Sequence, residues 1–137
     1  MDINKIKKMI NEVLGKRTEV LFGYLHGSVF SSKEPHDIDI AIFINPEDYE
    51  RLHNSGEISI GFAIPVEMEL EEKISMKIDL QLLNDAPLRF KYMVISNGEV
   101  VIDNESDIRI DFESISRVEY FDFRPKREEY LKEVFSL

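Results

Sequence analysis

Apolar residues recur at helical spacing from the start of the chain: Ile3, Ile6, Met9, Ile10, Val13 and Leu14, with Lys5, Lys7, Lys8 and Glu12 between them. This pattern predicts an amphipathic helix that stops at Gly15. Val20 to Leu25 is an unbroken apolar run and reads as a buried strand ended by Gly27-Ser28. The polar stretch Ser31 to Pro35 is a connection, since proline does not sit inside a helix. Asp37 to Ile44 is the clearest strand, rich in β-branched residues, with Ile38, Ile40, Ile42 and Ile44 on one face. Asn45-Pro46 opens a turn or a helix, and residues 54–62, broken by Gly56 and Gly61, carry no clear period.

Val66, Leu70 and Ile74 stand four apart and predict a helix over about Pro65 to Ser75, with Pro65 in its first turn. Glu67, Glu69, Glu71 and Glu72 fill most of its remaining surface and read as a solvated face. Lys77 to Leu83 alternates again, with Ile78, Leu80 and Leu82 on one side and Asp79 and Gln81 on the other. Asn84 to Pro87 is a turn, a short helix reaches Ser96, Asn97-Gly98 signals a turn or hairpin, and Glu99 to Asp103 is a short edge strand. Asn104 is placed to cap a final helix that turns Ile108, Phe112, Ile115 and Val118 inward and is broken or kinked near Pro125. The expected architecture is one domain over 1–137 with a helical tail from about 104 to 137. Its class is α/β (α+β): a small mixed β-sheet flanked by helices.

Composition narrows the function. A length of 137 residues suits one core, and 43% hydrophobic with 32% charged residues describes a globular chain. With 27 acidic against 17 basic residues the formal net charge is −10, which repels phosphate backbones and argues against a nucleic-acid partner. The chain has no cysteine, which excludes thiolate metal sites and a cysteine nucleophile and suits a reducing cytosol. No apolar run approaches the ~20 residues of a membrane span, and the N-terminus lacks the apolar stretch of a signal peptide, so a cytoplasmic location is expected.

The chemistry concentrates in Gly27-Ser28, followed after eight residues by Asp37-Ile38-Asp39 on a strand. Carboxylates two apart on a strand share a face, roughly 6–7 Å from one another at a rise of ~3.3 Å per residue. Aspartate is depleted from strands, and like charges this close need cations or protons to coexist. Oxygen donors on a rigid strand suit Mg²⁺ or Mn²⁺. Asp79 is a third acid on the polar face of a strand; should that strand lie near Asp37–Ile44, three carboxylates converge on metal ions that also hold a triphosphate. Gly27 lets backbone amides approach phosphate, and Ser28 adds a hydroxyl and an amide, at the start of a short helical turn. His26, His36 and His53 have no helical i, i+4 pairing and make no zinc site, although His36 adjoins Asp37 and is within reach of a nucleotide there. Phe121, Phe123 and Tyr130 read as packing residues, with a docking role for the tail as the other reading.

Leu25-His26-Gly27-Ser28, Asp37-Ile38-Asp39-Ile40 and Lys77-Ile78-Asp79-Leu80 together resemble the DNA polymerase β-like nucleotidyltransferase superfamily. The small size, Leu83 to Phe90, Tyr120 to Pro125 and Glu128-Glu129-Tyr130 resemble more narrowly the minimal nucleotidyltransferase (MNT) antitoxins of HEPN/MNT toxin–antitoxin pairs. The resemblance implies a polymerase β-like palm fold, Mg²⁺ (or Mn²⁺) on Asp37, Asp39 and Asp79, and nucleotide phosphates on Gly27 and Ser28. It also implies transfer of AMP from ATP to a tyrosine of a HEPN ribonuclease toxin, with which the chain would form a hetero-oligomer; for that reaction Asp79 is the best candidate to accept the tyrosine proton, directly or through metal-polarised oxygen. The chain departs from the motif in a shorter loop before Asp37 and in Val29-Phe30 where arginine commonly follows; the nearest cation is Lys33. The competing reading is a non-catalytic antitoxin that neutralises a basic HEPN toxin by direct binding. Transfer to a small molecule such as an aminoglycoside ranks lower, because the chain is short for a second substrate domain.

Overall fold

The computed structural model describes residues 2–32 and 35–135, without the side chains of residues 123, 124, 127, 128, 131 and 135. Helix α1 (Ile3–Leu14) is capped by Asp2, whose carboxylate accepts from the Asn4 amide at 3.1 Å, and it buries Ile6, Ile10 and Leu14. Strand β1 (Val20–His26) is buried throughout and runs into a 3₁₀ turn, Gly27–Phe30. Strand β2 (Asp37–Ile44) leads through an Asn45 cap and Pro46 into α2 (Pro46–Ser55), which Gly56 ends in the left-handed conformation. Residues 54–62, which have no clear sequence period, divide at this glycine: the end of α2, then a π-helical turn, Ile58–Ala63, that feeds α3 (Ile64–Ile74). Strand β3 (Lys77–Leu82), α4 (Leu88–Asn97), β4 (Glu99–Asp103) and α5 (Ser106–Phe135) follow.

The sheet order is β3-β2-β1-β4, with β1 antiparallel to both β2 and β4 and β2 parallel to β3. The mixed sheet between helical layers is the expected α/β class. The even positions of β2, Ile38 to Ile44, pack with Ile6, Ile10, Leu14, Val66, Leu70 and Ile74 beneath α1 and α3. The odd positions face the other layer: Ala41 and Phe43 join Phe22, Tyr24, Leu83, Val94 and Phe112 beneath α4 and α5. This second layer covers only part of its face, and Asp37 and Asp39 occupy the uncovered end of the same row. Asn97-Gly98 closes a helix rather than a hairpin, because α4 runs to Asn97.

Several expectations for the helices are corrected. The acidic face of α3 is not simply solvated: Glu67 Oε2 accepts from the Leu80 amide at 2.8 Å and Glu71 Oε1 from the Ile78 amide at 3.1 Å. These carboxylates occupy amides on the free edge of β3, which would otherwise template pairing with another chain. Charge-assisted bonds of this kind contribute about 1.5–3 kcal/mol. Glu67→Ala should therefore lower stability by about 1–2 kcal/mol in urea unfolding, and Glu67→Gln should recover most of the loss. Glu69→Ala, which removes only an exposed pair with Arg17, should cost under about 1 kcal/mol.

In α5, Ile108, Ile115 and Val118 are not inward; Ile115 and Val118 are 57% and 60% exposed. The inner face is Phe112, Ser116 and Tyr120, spaced by four: Phe112 packs on Phe22 and Phe43, Ser116 is buried, and Tyr120 stacks on Tyr92 with ring centres 4.0 Å apart. Of the tail aromatics read as packing residues, Phe121 touches Tyr92 and Tyr120 at ring edges yet is half exposed, Tyr130 is exposed, and the Phe123 side chain lies outside the described residues. The helix also continues through Pro125 instead of breaking. Asn104 does not begin it; its amide donates to the Val20 and Gly15 carbonyls and ties the end of β4 to the start of β1.

Beneath α5, the Tyr24 hydroxyl is buried with no hydrogen-bond partner among the described residues, and burial pushes its ionisation well above the usual tyrosine range. An unpaired buried hydroxyl is a cost that its removal relieves. Tyr24→Phe is expected to leave the denaturation midpoint unchanged or raise it. No helix among the described residues is long and apolar enough to cross a membrane.

Candidate active site

The open end of the α4/α5 face is built by register. Asp39 lies opposite His26 of β1 and opposite Asp79 of β3. Directly opposed residues in a sheet point to the same face, so three polar side chains from three strands form one row across it. Asp37 begins the row before, opposite Lys77. The next row inward is Tyr24, Ala41 and Gln81, where the apolar layer starts. The isoleucines on the reverse face hold β2 in register, since a slip by one residue would carry the aspartates into the core.

Asp37 and Asp39 are partly buried and Asp79 is exposed. Burial raises the Asp39 carboxyl above its ordinary value; the neighbouring charges of Asp79 and Asp37 raise it further, and His26 opposes the shift. Asp79 also lies within side-chain hydrogen-bonding reach of Asp39. Gly27 follows His26 at the strand end with φ +84°, and a Cβ there would stand 2.3 Å from Asp39 Oδ2. The absent side chain is therefore filled by a carboxylate. Ser28 is exposed in the same 3₁₀ turn, and its carbonyl accepts from the Ser31 and Ser32 amides. A cavity of about 280 Å³ adjoins the turn, lined by His26, Gly27, Phe30, Ser31, Met93 and Asn97.

Two residues of the site, His26 and Gln81, are given no role by the motifs. His26 is buried, rests edge-on against Phe90 with ring centres 5.7 Å apart, and places Nε2 3.0 Å from Gln81 Oε1. Gln81 Nε2 in turn donates to Asp79 Oδ2 at 2.8 Å. The signal for Gln81 was its position two after Asp79 on the same strand face. His36 is exposed next to Asp37, His53 stacks on Tyr49 in α2, and Lys33 lies outside the described residues.

Among the described residues, no three His, Cys, Asp or Glu side chains form a ready cage for a metal ion. The donor set nevertheless fits a hard divalent cation of the kind that takes only one or two carboxylates, keeps several waters and completes its shell with substrate phosphates. Asp39 and Asp79, opposed across β2 and β3, with Asp37 two residues before Asp39, are all oxygen donors on one face. Burial first, then the charges of Asp79 and Asp37, raise the Asp39 carboxyl, and a cation at this position would oppose that shift.

A family model described as "Polymerase beta, Nucleotidyltransferase" matches residues 8–107. That span contains the whole row and ends at the start of α5. Among solved structures, a chain from a toxin–antitoxin structure with AMP-PNP is 18% identical, with a TM-score of 0.64 over 98% of this chain and 99% of that one. A chain from a tri-AMPylated Shewanella oneidensis HEPN toxin in complex with MNT antitoxin is also 18% identical, with a TM-score of 0.59 over 96% and 94% of the two chains. A third, from the toxin–antitoxin MntA–HepT, gives a TM-score of 0.58 at 18% identity over 96% and 95%. Likeness at this identity is one of fold, and it includes the tail. A search of curated proteins found no match.

Proposed function

The chain belongs to the polymerase β nucleotidyltransferase family, and from that premise we propose that it is a metal-dependent protein adenylyltransferase acting in the cytosol. It transfers AMP from ATP to a tyrosine of a HEPN ribonuclease toxin, and so serves as the antitoxin. The observation that carries this reading is the register of the sheet: Asp39 faces Asp79 across β2 and β3, with Asp37 two residues earlier and Gly27 open against Asp39. Fold likeness to chains from a toxin–antitoxin structure with AMP-PNP and from an AMPylated HEPN toxin complex supports the choice of nucleotide and partner.

In this mechanism Asp37, Asp39 and Asp79 hold Mg²⁺ (or Mn²⁺), and Gly27 and Ser28 receive the phosphates. The bound cation supplies the positive charge that lets three carboxylates and a triphosphate share one site. The tyrosine oxygen bonds to the α-phosphorus as the bond from that phosphorus to the bridging oxygen breaks, and pyrophosphate leaves. Asp79, the exposed member of the row, accepts the tyrosine proton. The apolar layer under α4 and α5 borders the row through Tyr24 and Ala41. Incubation with labelled ATP, Mg²⁺ and a HEPN-type protein encoded beside this chain should label a tyrosine of that protein. Absence of label with every nucleotide tried would defeat the assignment.

A second reading is favoured by the outer face of α5, where Ile115, Val118 and Phe121 are exposed. Under it the chain neutralises a basic HEPN toxin by binding alone. Protection of cells by an Asp39→Asn chain, without ATP dependence, would favour this reading over the catalytic one.

A further inference from the structure

We propose that Gln81 and His26 are positioning residues for Asp79, acting as a hydrogen-bonded chain from the buried end of β1 to the exposed acid on β3. The inference rests on the catalytic reading of Asp79 above. Three observations carry it. Gln81 Nε2 is 2.8 Å from Asp79 Oδ2, and its Oε1 is 3.0 Å from His26 Nε2. His26 is 7% exposed, and its ring is held edge-on by Phe90. Asp79, by contrast, is exposed on the edge strand.

The direction of the chain follows from donor and acceptor chemistry. An ionised carboxylate only accepts, so the amide nitrogen of Gln81 must face Asp79. The Gln81 carbonyl oxygen then faces His26 and can only accept, so His26 Nε2 must carry a hydrogen. Reversing the amide would set its oxygen against the Asp79 carboxylate and leave a partly buried acceptor pair with no proton between them. A histidine whose ring is locked by Phe90 thus fixes the glutamine, and the glutamine fixes one oxygen of Asp79. Such supporting bonds typically set activity by about 10–100-fold without touching substrate.

Two measurements test this. Long-range nitrogen–proton spectra of the chain with ¹⁵N-labelled histidine should show His26 with its hydrogen on Nε2. Gln81→Leu should shift it toward a mixture of tautomers, whereas Gln81→Glu, which keeps an acceptor facing His26, should retain it. In AMP transfer, both variants should lower kcat by about 10–100-fold with KM for ATP changed by less than about twofold. His26→Gln, which keeps a donor toward Gln81, should stay within about threefold of the parent, and His26→Phe should fall with Gln81→Leu. A His26 ring with its hydrogen on Nδ1 and none on Nε2 in the free chain would overturn the proposal. So would parental kcat in Gln81→Leu when Asp39→Asn is inactive. Parental activity in Asp39→Asn would instead overturn the catalytic reading, and the spectra would still decide the hydrogen-bond chain.

Discussion

Asp39→Asn should abolish nucleotidyl transfer, a loss of about 10³-fold or more, and raise the melting temperature of the metal-free chain at neutral pH. Both effects have one cause. Asp39 sits mid-row between His26 and Asp79, and burial, then Asp79 and Asp37, make its ionised form harder to hold in the fold than in the unfolded chain. A carboxyl raised in this way favours the folded state below its unfolded value. That contribution is lost as pH rises through the folded value, so at neutral pH the charge is a net cost. Asparagine keeps the shape and removes the charge.

The gain in melting temperature should be present at pH 7 and shrink to nothing as pH falls below the ordinary aspartate value of about 3.9. Thermal melts from about pH 3 to pH 8 would show it. Mg²⁺ should stabilise the parent and not the variant, because a ligand of the folded state adds stability only where it binds. An asparagine chain less stable than the parent at neutral pH would contradict the account of Asp39 as a strained charge. Retained transfer would contradict its place in the reaction.

The row containing Asp39 was legible in the sequence because strand alternation is a local property. Isoleucine at every even position of β2 dictates which way Asp37 and Asp39 point, and the same period places Asp79 on β3. What alternation does not contain is which strand neighbours which. The pairing of Glu67 and Glu71 with the β3 edge depends on α3 packing beside an unpaired strand, and an acidic helix face alone looks the same when it is solvated. The orientation of α5 was lost for a related reason. Its apolar residues form two stripes, Phe112 with Tyr120 and Ile115 with Val118, and the sheet takes the aromatic one because Phe22 and Phe43 offer rings to stack against. The His26–Gln81–Asp79 chain joins residues 55 positions apart at its first link, so no motif window contains it.

Gly27→Ala should reduce transfer by about 10²-fold or more, and Gly56→Ala should leave transfer unchanged, although the two substitutions impose similar backbone strain. Gly27 has φ +84° and Gly56 has φ +73°, and a Cβ costs roughly 1–2 kcal/mol in that region at either place. The surroundings differ. At Gly56, the end of α2, a Cβ meets nothing within 4 Å. At Gly27 it would stand 2.3 Å from Asp39 Oδ2, well inside contact distance, so either the turn or the carboxylate must move. The isoleucine face of β2 fixes the backbone of Asp39, which leaves its side chain and the Gly27–Phe30 turn to take up the displacement. Shifts of about 1 Å in positioning groups are enough for losses near 10²-fold. Urea unfolding should report a loss of about 1–2 kcal/mol for Gly56→Ala and at least as much for Gly27→Ala, while labelled-AMP transfer separates them. Equal activity in the two would mean that Asp39 and the turn move apart without consequence. The close approach of Gly27 to Asp39 would then be a feature of the fold and not of the reaction.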